Sequence, residues 1–244
     1  MKLKSLLTRL FIKLREHTYK KQLKYLFFRK HSDTLVIVFS GMSKIPVYNY
    51  VRTLRTLKID RLYLLDDFGY CGSYHWFSKG MDIPLMLTKN LIDQVINQGG
   101  YKRVITIGSK KGGTDAIYFG LQCGAQHIFA GAPQYYVGTY LTDGNGNKIQ
   151  TFYSMMGEEA GESERKKLDD MMSNCLNECL QNRVVVHLLY SKNEHTYDDD
   201  VQYLLRDLDT FGIQHEDKIE EFTDHSDVGK YFSPWILKEL GRLT

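Results

Sequence analysis

Residues 102–122, KRVITIGSKKGGTDAIYFGLQ, read as a buried strand that runs through a tight glycine turn into a helix, the kind of junction that binds phosphate or presents a nucleophile. The phosphate-binding patterns fail at their chemical residues. A P-loop beginning at Gly108 requires lysine where Thr114 stands, and the dinucleotide pattern requires glycine where Lys110 stands. The remaining template is G-x-S-x-G, in which a strained turn lifts a nucleophile and tolerates only small residues two places before and after it. Gly108 and Gly112 bracket position 110, whereas centring the turn on Ser109 puts Ile107 and Lys111 in the crowded places. The spacing therefore predicts position 110 at the apex, and that residue is lysine. Ser109 and Lys110 both stand as candidates for the catalytic position.

A hydroxyl nucleophile needs a general base, a group that orients the base, and donors for the developing oxyanion. The chain supplies them in the order nucleophile, acid, histidine used by α/β-hydrolases. SKNEHTY follows an apolar strand and offers Glu194 (or His195) as the acid, and DHSDVGKYF offers His225 on a loop before the last helix. Taken singly, each would be a solvated loop residue. Their joint placement at three strand ends is what points to chemistry. The oxyanion donors expected are the backbone N–H groups of Lys111, next after the apex, and Met42, in the FSGM turn of an early strand. With lysine at the apex, its ammonium is expected to pair with Glu194, leaving the imidazole no hydroxyl to deprotonate.

These residues need a scaffold that brings distant strand ends to one edge. Apolar runs at 34–40, 60–65, 102–108, 127–132 and 184–190 read as buried strands, with 217–222 as a weaker edge strand. Helical patterns lie near 47–57, 87–98, 113–123, 197–211 and 227–241. Strands alternating with helices imply an α/β fold, a mainly parallel sheet with helices on both faces. Residues 133–183 exceed what a crossover needs and read as a lid insertion, whose part 133–160 is expected to cover the sheet edge above Lys110 and His225. Tyr135, Tyr136, Tyr140 and Tyr153 in that insertion, with Tyr70, Tyr74 and Trp76 after the second strand, are candidate substrate-stacking faces, although aromatics at such spacings are more often core. Tyr74, Tyr135 and Tyr136 are the substrate-binding residues named from this set.

The 244 residues, 43% hydrophobic and 25% charged, fit one domain of 32–244 with a continuous core. Residues 1–30 carry ten lysines and arginines against Glu16 alone, so they hold +9 of a chain whose total is +3. Leu3, Leu6, Leu7, Leu10, Phe11 and Leu14 fall on one helical face, so 1–31 reads as a basic amphipathic helix. It can lie on an anionic membrane surface, dock on a partner, or pack on its own domain. It lacks the apolar core of a signal peptide, and no window of membrane-spanning length occurs. The acidic body argues against nucleic acid. Cys71, Cys123, Cys175 and Cys179 form no CxxC pair and have no histidines at zinc spacing, which points to a reduced, cytoplasmic protein without disulfides or structural metal.

The segments FSGM, LLDDFGYCGSYHW, IGSKKGGTDAIYFGL, AGAPQYYVGTYL, YSKNEHTYDDDV and DHSDVGKYF, in this order, resemble the XcbB/CpsF capsular polysaccharide biosynthesis proteins across most of residues 34–235. The resemblance implies an α/β-hydrolase-like fold and a role in capsule assembly. The turn and the acid–histidine arrangement are more distantly similar to capsule O-acetyltransferases, which implies a glycan acceptor, acetyl-CoA as acyl donor and acyl transfer to a glycan hydroxyl. The pattern expected of the family is G-x-S-K-G-G, and Lys110 stands at its serine. Either Ser109 substitutes, or Lys110 has another role, or the chain is an inactive module that binds glycan or a glycosyltransferase.

Overall fold

The structure is a computed structural model that describes residues 11–179 and 183–243. Eight strands form a single sheet in the order β1-β2-β4-β3-β5-β6-β7-β8. They are β1 (Glu16–Tyr19), β2 (Leu23–Phe28), β3 (Thr34–Phe39), β4 (Asp60–Leu65), β5 (Arg103–Ser109), β6 (His127–Gly131), β7 (Val185–Tyr190) and β8 (Gln214–Ile219). From β4 to β8 every pairing is parallel, so the six C-terminal strand ends share one edge. Continuous apolar sequence such as TLVIVF follows from burial on both faces. Leu35, Ile37 and Phe39 of β3 point into one core, and Val36 and Val38 into the other.

The two faces are covered unequally. On the first lie α1 (Ile83–Gly99), α2 (Lys111–Gln122), α5 (Glu162–Glu178) and α6 (Gln202–Thr210), through residues such as Leu91, Ile117, Leu168 and Leu204. On the second lies α7 (Val228–Leu243), whose Val228, Phe232, Ile236 and Leu240 recur at helical spacing and are buried. Leu54 and Ile59 complete that face. Residues 51–57 are turns rather than the helix expected at 47–57, with Tyr50 at φ 60°. The insertion holds α3 (Val137–Thr142), α4 (Asn147–Met156) and α5. The stretch expected as a helix at 197–211 begins as a π-helical turn, Tyr197–Val201, before α6. The last strand starts at Gln214, three residues ahead of expectation.

The N-terminal expectation needs correction. Residues 11–15 are helical, but 16–28 form an antiparallel hairpin, β1 and β2, and β2 pairs with β4. The domain therefore begins well before residue 32. The reason is the open edge of β4, whose backbone groups need partners. Leu23 and Leu26, three apart in a helical pattern, are both fully buried, Leu23 on the first face and Leu26 on the second. The chain reverses through Lys20 and Lys21 at φ 48° and 61°. Leu3, Leu6, Leu7 and Leu10 of the expected apolar face lie outside the described residues, and Leu14 is exposed. No described helix is long and apolar enough to cross a membrane.

Candidate active site

Ser109 ends β5, and Lys111 begins α2. Between them, Lys110 adopts φ 56°, ψ −127°, a backbone conformation that L side chains rarely take. Its N–H donates to Gly131 O (2.7 Å), and its carbonyl accepts from Gly113 N (2.8 Å) and Thr114 N (3.0 Å). The flanking glycines are steric necessities. A Cβ on Gly108 would run into the Gly112 carbonyl, and one on Gly112 would stand 2.8 Å from Phe39 O. Lys110 is thus the residue at the apex.

At the next strand ends, Glu194 follows β7 and His225 follows β8, on a short turn capped by Asp224, whose side chain accepts from Ser226 N. Glu194 is 2% exposed. Its Oε1 lies 3.2 Å from His225 Nδ1 and 2.7 Å from His195 Nδ1, and Thr196 donates through both its N–H and its hydroxyl. Burial opposes ionisation of Glu194, but His225 and Thr196 outweigh it and hold the carboxyl below its ordinary range. The His225 contact is at ion-pair distance without hydrogen-bond alignment, so neither ring nitrogen has a directed partner among the described residues.

Lys110 departs from expectation in its electrostatics. It forms no ion pair with Glu194 among the described residues. Burial lowers its pKa from the ordinary lysine value, against the opposing pull of Glu194, Asp224 and Asp227. A half-buried amine loses more hydration than these carboxylates return. Ser109, one residue back, shares a hydrogen bond with the Tyr50 hydroxyl, the oxygens 2.5 Å apart. Burial pushes the Tyr50 phenol up to about 12, so it remains neutral.

Lys110, His225 and Ser109 line one cavity of about 650 Å³, together with Met42 and, from the insertion, Tyr140 and Asn147. The insertion therefore reaches the edge that carries Lys110. Met42 and Lys111, whose backbone N–H groups are the expected oxyanion donors, both line this cavity. Gly41 N is engaged by Asn49 Oδ1 at 2.9 Å, which secures the FSGM turn.

The Lys111 side chain turns away and is 1% exposed. Its ammonium bridges Asp66 (2.8 Å) and Asp115 (2.7 Å) and reaches Ser40 O at 3.2 Å. His75 Nδ1 stands 2.9 Å from Asp115. Asp66, His75 and Asp115 are grouped closely enough to hold a cation, and the Lys111 ammonium occupies that place. Burial disfavours the charge of Asp66, yet Lys111 and His75 hold it well below the usual carboxylate range, and Asp115 and Asp66 in turn raise Lys111. This network ties the start of α2 to the ends of β3 and β4, directly beneath the turn.

Two of the expected stacking residues are core. Tyr74 is fully buried against Trp76 and faces the Lys111 ammonium, and Tyr135 is 1% exposed with its hydroxyl on Asp207. Burial under the insertion removes both from any ligand. Tyr136 is half-buried and lines a second cavity with Tyr140 and Asp200, not the one at Lys110. Sequence reasoning missed Tyr50, Asn49 and Asn147, which line the Lys110 cavity, the first two from the stretch expected as a helix at 47–57 that is turns here and the third from the start of α4. It also missed Asp66 and Asp115, although Asp66, a carboxylate directly after the apolar strand DRLYLL, was a visible signal.

The sheet order, crossovers and placement of these residues define an α/β-hydrolase-like fold. The serine hydrolase FphF of Staphylococcus aureus superposes with a TM-score of 0.63 at 12% identity over 90% of each chain. Greater likeness is shown to the capsule O-acetyltransferase of Neisseria meningitidis serogroup A, with a TM-score of 0.78, 17% identity and 92% of each chain covered. A mutant of that protein in complex with CoA gives 0.73 at 15% identity, over 91% of this chain and 93% of that one. At these identities the likeness establishes the fold. No protein-family model matches the sequence, and no curated protein matches it by sequence.

Proposed function

We propose that this protein acts in capsule-type surface polysaccharide biosynthesis, as an XcbB/CpsF-like protein whose acyl-transfer site has lost its nucleophile and serves to bind a glycan. The observation that carries the reading is the position of Lys110. It takes the strained apex between Gly108 and Gly112 and lines the same cavity as His225, where a nucleophile elbow places serine. The rest of an acyl-transfer site stands around it. This reading assigns Glu194, whose carboxylate lies 3.2 Å from the ring, to position His225, and the backbone N–H groups of Met42 and Lys111, which line the same cavity, to receive the oxyanion. A primary amine at the apex cannot form the labile ester on which turnover depends, because acylation would give a stable amide.

Restoring the hydroxyl tests this. Lys110→Ser should gain hydrolysis of a generic acyl ester, and adding His225→Ala should remove it. In that variant Oγ attacks the acyl carbon while His225 takes the hydroxyl proton and returns it to the leaving group. Acetyl-CoA with a capsule-type glycan acceptor is the second substrate pair. A silent Lys110→Ser variant with both pairs would refute the altered-nucleophile reading.

A second reading, acetyl transfer by the chain as it stands, rests on Ser109, which lines the same cavity. It requires Ser109 to leave Tyr50. Activity of the unaltered chain that disappears in Ser109→Ala would establish it.

A further inference from the structure

At the opposite edge of the sheet, where β2 ends beside the start of β4, a cavity of about 290 Å³ opens between the N-terminal hairpin and the turns at 51–57. Its charged lining is wholly basic: Arg15, Arg29, Lys30, Arg55 and Arg61. None of the five forms an ion pair among the described residues. Its remaining lining is aromatic or aliphatic, with Phe28 at the centre. Arg61 lies 5.6 Å and Arg15 5.9 Å from the Phe28 ring centroid, and Arg15 also lies 4.9 Å from that of Phe11.

Arg61 makes this more than a solvated basic patch. It is 4% exposed on a sheet strand, lines the cavity, and leaves its buried Nε without a hydrogen-bond partner, while NH1 donates to Leu54 O. A buried guanidinium without a carboxylate is unfavourable unless an anion completes it. Arginines held in place by aromatic stacking suit a phosphate group, which they bind through paired N–H donors. The apolar lining suits a hydrocarbon or planar group attached to that phosphate.

We infer that this cavity is a binding site for a phosphate group carried on an apolar or aromatic body, with Arg61 as its buried anchor and Arg29 and Arg55 as its outer clamps. The site is separate from the Lys110 cavity and does not depend on the acyl-transfer reading. A membrane lipid headgroup and a free phosphorylated compound share this chemistry.

Calorimetric titration of the full chain with inorganic pyrophosphate and with monomeric dihexanoyl phosphatidic acid tests the inference. Flotation with phosphatidylcholine vesicles, with and without phosphatidylglycerol, provides the membrane arm. At least one of the three phosphate probes should bind, more weakly as salt rises. The exposed double variant Arg29→Gln/Arg55→Gln should lower that affinity at least tenfold. In Arg61→Met, thermal stabilisation by the bound probe should vanish while the ligand-free protein keeps its melting temperature or gains. Binding confined to the lipid probes assigns the membrane source, and binding of pyrophosphate assigns a free one. Failure of all three probes, or undiminished binding by the double variant, would overturn the site.

Discussion

Glu194 and His225 meet at 3.2 Å across the ends of adjacent parallel strands, although α6 and β8 separate them along the chain. The carboxylate oxygen that faces His225 also receives His195 at 2.7 Å. Of the two imidazoles, only that of His225 lines the Lys110 cavity, so the proposed acyl-transfer reading takes it, and not His195, as the base for a group at position 110.

Once Lys110→Ser has restored activity, Glu194→Gln in that background should lower kcat by roughly 10³-fold or more, as loss of an orienting carboxylate does. His195→Asn should change kcat no more than a few-fold. Steady-state kinetics on one ester checks both, and an equal loss from both substitutions would contradict the assignment of His225.

Lys110 should react as an amine of lowered pKa. Burial depresses it, so at mildly alkaline pH its neutral fraction exceeds that of lysines with the ordinary pKa. Mass-spectrometric rates of reductive methylation against pH should place its midpoint below theirs. Asp224→Asn, which keeps an oxygen to cap Ser226 N but removes a charge that favours the ammonium, should shift the midpoint further down.

Gly112→Ala should destabilise by about 2–3 kcal/mol, because its new Cβ meets the backbone oxygens of Phe39 and Ser40 at 2.8 and 3.2 Å and neither can move without displacing the end of β3. Gly241→Ala in α7, where an added Cβ meets nothing within 4 Å, should stabilise by roughly 0.5–1 kcal/mol. Urea unfolding compares the two.

Lys111→Met should cost about 3–5 kcal/mol at neutral pH, since it leaves Asp66 and Asp115 buried together without their cation. The pH dependence should also change sign. In the native protein the depressed pKa of Asp66 supplies stability that is present above the ordinary carboxylate pKa and is lost as acid protonates the folded state. In the variant, protonation relieves repulsion, so stability should rise on acidification toward pH 4.

Asp200 gives the opposite dependence. It is 1% exposed, and burial pushes its carboxyl up to about 7, despite the N–H groups of Tyr135 and Tyr136 that it accepts. A carboxyl raised on folding destabilises progressively between its unfolded pKa and its folded one. Asp200→Asn should therefore stabilise by up to roughly 4 kcal/mol at pH 8 and by little at pH 4, measured by denaturant unfolding at the two pH values.

The parallel core was legible in the chain because strands buried on both faces must be apolar throughout, and TLVIVF or RVITIGS leaves no other reading. The apex was legible for a steric reason. Two glycines at fixed spacing are required wherever backbones approach that closely, so Gly108 and Gly112 placed Lys110 without any knowledge of its surroundings. What depended on the rest of the molecule was decided by tertiary structure alone. Leucine spacing at residues 16–28 is compatible with helix or strand, and the unpaired edge of β4 selected the hairpin. The aromatic side chains of Tyr74 and Tyr135 are equally suited to sugar or core, and the packing of the insertion buried them. Charge at Lys110 could not be read from its neighbours in sequence, because its pKa reflects lost hydration set against Glu194, Asp224 and Asp227, a balance that exists only once three strand ends stand side by side.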